Sequence, residues 1–121
     1  MSRELSLAEI FQLGYYWETK ILLTAVRLDL FSALDGKYNT LSEVADRIGA
    51  HAPTLGLLLN ALVAMRLVEK DGDSYGNSSA AVTHLVRNSA QYIGHLLLLH
   101  DAEWDNWGKL EQTIRTGQRS V

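Results

Sequence analysis

The first 28 residues constrain this chain more than any other stretch. From Leu5 to about Leu28 apolar residues recur with helical spacing, broken by no proline and by the single Gly14, so the pattern predicts one long helix. At about 100° per residue, Glu9, Gln12, Tyr16, Lys20, Thr24 and Arg27 fall on a narrow polar stripe. Ile10, Phe11, Gly14, Tyr15, Trp17, Ile21, Leu22, Ala25, Val26 and Leu28 spread over roughly half the circumference. A helix at the edge of a small domain buries a sector of about 100°. The surplus calls for a second surface, which a second copy of the chain would supply. The alternative is a central helix covered on all sides by its own domain. The expected interface is Ile10, Phe11, Gly14, Tyr15, Trp17, Glu18, Ile21, Leu22 and Ala25.

Glu18 lies about 180° from the polar stripe, amid apolar neighbours. A carboxylate buried there needs a partner, either an ion pair or hydrogen bond across a dimer, or a substrate. Tyr15, Tyr16 and Trp17 are either packing residues or cover for an aromatic ligand, and Tyr16, on the polar stripe, is the one expected to face a cavity or solvent.

Beyond Leu28, Leu30 to Leu34 reads as a short helical turn closed by Asp35-Gly36. Thr40 and Glu43 form a T-x-x-E capping box ahead of Leu41, Val44, Ala45 and Ile48, and Gly49 ends that helix. Pro53 suits the first turn of the next helix, which runs to Arg66. Leu67 to Lys70 and Ser74 to Asn77 read as strands of a hairpin around Asp71-Gly72-Asp73. Helix, turn, helix and hairpin form a winged-helix pattern. Ser78 or Ser79 caps a short helix, and Ser89 another that runs from Tyr92 to Ile114, with Gly117 as its end. The expected fold is mainly α: a winged helix-turn-helix with a two-stranded wing and long terminal helices used for pairing. It covers residues 1–117, with 118–121 starting a connection.

At 121 residues, 47% apolar and 21% charged, the chain fits one folded domain. A net charge of −3 gives no excess to attract phosphate or anionic lipid. The absence of cysteine excludes disulfides and thiolate chemistry and suits a reducing cytoplasm. The acidic N-terminus lacks the pattern of an export signal. The run Ile93 to Leu99 falls far short of the roughly 20 residues a membrane span needs.

A winged helix raises the possibility of a transcriptional regulator, since the second helix of such a fold usually reads the major groove. Ala52 to Met65, however, contains no Lys, Arg, Asp or Glu, and the wing carries Glu69, Asp71 and Asp73 against the single Lys70. Neither matches a phosphate-lined partner. His95 and His100 stand about 140° apart on a helix and make a poor metal pair. Trp104 and Trp107 are either core or a pocket wall, as is His100 with Asp101 beside it.

Three stretches, taken in order, carry a resemblance: Ile21 to Leu34 (ILLTAVRLDLFSAL), Thr40 to Ser78, and Gln91 to Gly117. Together they resemble the N-terminal dimerisation domain of small-molecule O-methyltransferases of the caffeic-acid, acetylserotonin and polyketide type. Asp29 and Arg66 stand where that family usually has glycine, and Ser78 where it has threonine. The resemblance implies a homodimer whose helices intertwine and roof a pocket for a small, hydroxylated, aromatic substrate, with Tyr16, His100, Trp104 and Trp107 as substrate-facing candidates. It also implies S-adenosylmethionine in a separate C-terminal domain. This chain has no G-x-G phosphate-binding turn, so by itself it is expected to hold no cofactor, no metal and no catalytic residue. A stand-alone interaction protein and the regulator are the alternatives.

Overall fold

The computed structural model describes residues 4–118. Ser6 opens helix α1 (Leu7–Leu13) with a capping box: its Oγ accepts from the Glu9 amide at 3.1 Å, and Glu9 Oε1 accepts from the Ser6 amide at 3.0 Å. The helix stops at Gly14, and a second helix, α2 (Trp17–Arg27), starts after Tyr16. The single long helix expected from periodicity is therefore two. Residues 14–16 leave the helical hydrogen-bonding pattern, and Tyr15 and Tyr16 instead pack against Trp17, tilted and edge-on, with centroids 4.6 and 5.7 Å away.

Asp29, in left-handed backbone at φ 53°, turns the chain into α3 (Leu30–Ala33). Strand β1 (Asn39–Thr40) leads directly into α4 (Leu41–Ile48), where the Thr40 and Glu43 capping box forms as the sequence indicates. Gly49, at φ 67°, closes α4, a conformation only glycine adopts without cost. Helix α5 (Ala52–Ala64) has Pro53 in its first turn and ends one residue before Met65, short of Arg66. Strands β2 (Val68–Asp71) and β3 (Ser74–Asn77) pair antiparallel, with Asp71 opposite Ser74, so Gly72 and Asp73 are the hairpin loop.

The sheet has three strands in the order β1-β3-β2, because Asn39 and Thr40 pair with Tyr75 and Ser74. The expected two-stranded wing thus gains a third strand, too short to show any alternation of its own. The order α3, β1, α4, α5, β2, β3 is that of a winged helix. Helix α6 (Ser79–His84) is capped by Ser78, whose hydroxyl accepts from the Ala81 amide. The long helix expected from Ser89 onward is instead α7 (Gly94–Ala102), α8 (Trp104–Trp107) and α9 (Leu110–Thr116), with Ile93 rather than Ser89 at its head and Gly117 at its end. Of the expected connection at 118–121, residues 119–121 lie outside those described.

The core sits between α2 and the winged unit. Phe31, Leu30, Leu34, Val44, Leu59 and Leu62 are fully buried there. Each such side chain contributes about 1.5–3 kcal/mol by leaving water. Two side-chain bonds fasten the wing to the helices: Tyr75 Oη donates to Asn60 Oδ1 at 3.0 Å, and Asn77 Nδ2 donates to the Phe31 carbonyl at 2.8 Å. No helix is long and apolar enough to cross a membrane, among the described residues.

Candidate interaction surface

The core draws on α2 to α6 and very little on the ends of the chain. Helices α1, α8 and α9 contribute no buried residue, and α7 contributes Gly94 alone. The outer elements nonetheless carry large apolar side chains. Leu7, Ile10, Phe11 and Leu13 are exposed on α1, Phe11 at 66%, followed by Tyr15, Tyr16 and Trp17 at the break. Leu96, Leu99, Trp107, Leu110 and Ile114 are exposed on α7 to α9. Isolated exposed leucines are ordinary, but a whole helix of uncovered apolar residues is a surface meant to be covered.

The residues expected at an interface divide within the first turn of α2, between Glu18 and Ile21. Ile10, Phe11, Gly14, Tyr15, Trp17 and Glu18 are all exposed. Glu18 is not buried within the protomer, and it forms no hydrogen bond or ion pair among the described residues. Ile21 and Leu22 are half-buried against the core, and Ala25, at 0% exposure, belongs to the protomer's own interior. Ala25 thus has no surface to offer a second copy: the apolar sector of α2 beyond Ile21 faces the winged unit.

The substrate-facing candidates sit on two stretches of chain, the Gly14–Tyr16 break and α7 to α8, which approach each other where Lys20 covers Trp104. Tyr16 is exposed at the helix break, His100 is exposed on α7, Trp107 is 70% exposed on α8, and Trp104 is half-buried beneath Lys20, whose Nζ stands 4.8 Å from its ring centroid. Two clefts flank the wing. One, of about 290 Å³, lies between Leu34–Tyr38 and Glu69, Asn77 and Val82; the other, of about 510 Å³, lies between Thr40–Ser42, Ala52, Lys70, Asp73 and Tyr75. Neither is lined by any of the four candidates. Beside the first, partial burial pushes the Tyr38 phenol up, and the carboxylates of Glu69 and Asp71 push it further. Tyr38 is therefore a neutral phenol at physiological pH, donating to Glu69 Oε1 at 3.4 Å.

The residues present do not fit S-adenosylmethionine. Its adenosyl group needs a strand followed by a glycine-rich turn and a helix, with an acidic residue for the ribose. Here β1 passes straight into α4, and β3 reaches α6 through Ser78 alone. Among the described residues no cluster of His, Asp or Glu could hold a metal ion.

The sequence reading assigns the C-terminal helices to pairing but names none of the apolar residues exposed on the outer side of α7 to α9 as part of that surface. Their signal was the run of leucines from Leu96 to Leu99, too many for one buried face.

Comparison with known proteins agrees with this arrangement. A family model described as the O-methyltransferase dimerisation domain matches residues 11–87. The tetracenomycin polyketide synthesis 8-O-methyl transferase TcmO of Streptomyces glaucescens is 39% identical over 108 residues, 88% of this chain and 32% of that protein. The N,N-dimethyltransferase OxyT of Streptomyces rimosus is 38% identical over 104 residues, 85% of this chain and 30% of that protein. Among solved structures, the O-methyltransferase NcsB1 from neocarzinostatin biosynthesis, in complex with S-adenosylmethionine and 2-hydroxy-5-methyl naphthoic acid, superposes with a TM-score of 0.78. It is 26% identical, and the match covers 97% of this chain and 36% of that one. The chain therefore spans about a third of the length of these relatives. With its winged core matched by the family model and its outer helices uncovered, the chain belongs to the O-methyltransferase dimerisation domain family.

Proposed function

We propose that this chain pairs two subunits of an S-adenosylmethionine-dependent methyltransferase and roofs the pocket in which a small aromatic acceptor is methylated. The observation that carries the reading is α1, a capped amphipathic helix with exposed Leu7, Ile10, Phe11 and Leu13 and no buried residue of its own. A second copy is the natural cover for such a helix, since a homodimer buries like surface against like. Residues 1–117 are the pairing module in this reading, and the methyl donor belongs to a part of the enzyme outside it.

Tyr15, Tyr16 and Trp17 form an aromatic ledge at the edge of the paired surface, suited to the face of a planar ring. The bound naphthoic acid of NcsB1 and the polyketide pathway of TcmO support an aromatic acceptor. A nitrogen acceptor is a second reading, favoured by the similarity to the N,N-dimethyltransferase OxyT. The cysteine-free composition suits a cytoplasmic enzyme of secondary metabolism.

Sedimentation of the purified 121-residue chain tests the pairing. A dimer at micromolar concentration is the expected result; a monomer at several tens of micromolar overturns it.

A further inference from the structure

Helix α7 carries four consecutive leucines, Leu96 to Leu99, so its apolar surface runs most of the way around it. Among the four leucines, apolar burial does not choose which one faces the body; at the head of the helix, buried Gly94 lies on the inner face against Tyr92. In the structure Leu97 and Leu98 pack against the core, while Leu96 and Leu99 are exposed. One turn beyond Leu97, Asp101 points the same way. Its side chain is only 13% exposed, and it meets two cations of α2: Lys20 Nζ at 3.8 Å and Arg27 Nε at 3.5 Å. Lys20 and Arg27, seven residues apart, are members of the polar stripe of α2. Lys20 also caps the ring of Trp104 in α8.

We propose that Asp101 is the positioning residue that selects the rotation of α7 on α2, and so decides which leucines are presented outward. Within the leucine run, away from Gly94, turning α7 by one residue, about 100°, would exchange one leucine for another against the core at small apolar cost. The same turn carries the carboxylate away from both cations. Ion pairs of this kind add little net stability, yet they discriminate strongly between otherwise similar packings. That Leu96 and Leu99 then meet a second subunit rests on the pairing reading above; the rotation itself does not.

Because the chain has no cysteine, single cysteines report on α7 without interference. L97C and L98C are expected to react slowly with a maleimide in the otherwise unchanged chain. Adding D101L should raise the rate at one of them at least tenfold without lowering the thermal midpoint, since leucine supplies apolar contact where the carboxylate was. Re-pairing with reversed charges, D101K with K20D and R27D, should restore slow labelling. Slow labelling at both positions in D101L overturns the proposal, as does failure of the reversed set to restore it. A lowered midpoint with both positions labelled equally marks general loosening and also overturns it. A chain that stays monomeric but labels as expected removes only the statement about Leu96 and Leu99.

Discussion

Asp29 and Arg66 share left-handed backbone, φ 53° and 64°, and only Asp29 is compensated for it. Asp29 Oδ1 accepts from Ser32 Oγ at 2.7 Å, its other oxygen lies 3.7 Å from Arg87 Nε, and Ser32 Oγ in turn accepts from the Arg87 amide at 3.0 Å. The exposed side chain of Arg66 makes no hydrogen bond or ion pair among the described residues. Left-handed backbone costs a residue with a Cβ about 1–2 kcal/mol. Arg66→Gly should therefore stabilise the fold by about 1 kcal/mol, after the extra freedom of glycine in the unfolded chain is deducted. Thermal unfolding checks this as a rise of a few degrees in midpoint. Asp29→Ala, which keeps the strained backbone and removes the bonds, should lower stability by about 1–2 kcal/mol.

The capping box of α4 gives stability a dependence on pH. Hydrogen bonds from the Thr40 backbone and side chain hold the Glu43 carboxyl below its ordinary value, with Arg47 and Lys37 assisting. A depressed carboxyl contributes stability above the unfolded value and loses it as pH falls through the folded one. Glu43→Gln should thus unfold at a lower temperature than the parent at neutral pH, with the difference closing below the ordinary carboxylate range. Thr40→Ala should cost about 1 kcal/mol. Melting curves from pH 7 to pH 3 measure both.

Tyr92 and Gly94 are fitted to one another. A Cβ on Gly94 would collide with the Tyr92 phenol, whose oxygen is buried and has no hydrogen-bond partner among the described residues. Gly94→Ala should destabilise by about 1–3 kcal/mol through overpacking. Tyr92→Phe, which deletes an unsatisfied hydroxyl, should be neutral or stabilising. Because an added Cβ would also meet the ring carbons Cζ and Cε1 of Tyr92, most of the cost of Gly94→Ala should persist in the double variant, and a denaturant cycle over the four proteins reads the coupling.

If α1 is covered by a second copy, Phe11→Glu should weaken pairing at least thirtyfold, about 2 kcal/mol, while leaving the melting of the isolated protomer unchanged. Phe11 touches nothing in the protomer core, so circular dichroism at low concentration should match that of the parent. Ala25→Glu should instead unfold the protomer, because Ala25 lies in its interior.

Local signals in the sequence were the most legible. The Thr40 and Glu43 cap, the stop at Gly49, the Gly72 hairpin and the end at Gly117 all form as their chemistry requires. The break at Gly14–Tyr16 was not legible, because a lone glycine is tolerated in a helix and the ring contacts of Tyr15 and Tyr16 with Trp17 are not periodic. The pair β1 was too short to have a period. For the surface, the helical wheel measured how much of residues 5–28 is apolar, but not which neighbour takes each sector. It assigned Ala25 outward when the protomer claims it, and in the C-terminal leucine run nothing in the spacing separates the inner Leu97 and Leu98 from the outer Leu96 and Leu99.

The reciprocal bonds between Ser6 and Glu9 start a helix that brings nothing to the interior of its own protomer. Whatever ordering α1 lacks beforehand must be supplied when it is covered, and is subtracted from the affinity. If a second copy covers α1, Ser6, although remote from any contact in the core, controls association strength: weakening the cap should loosen the pair by leaving more disorder to remove, with every contact atom still in place.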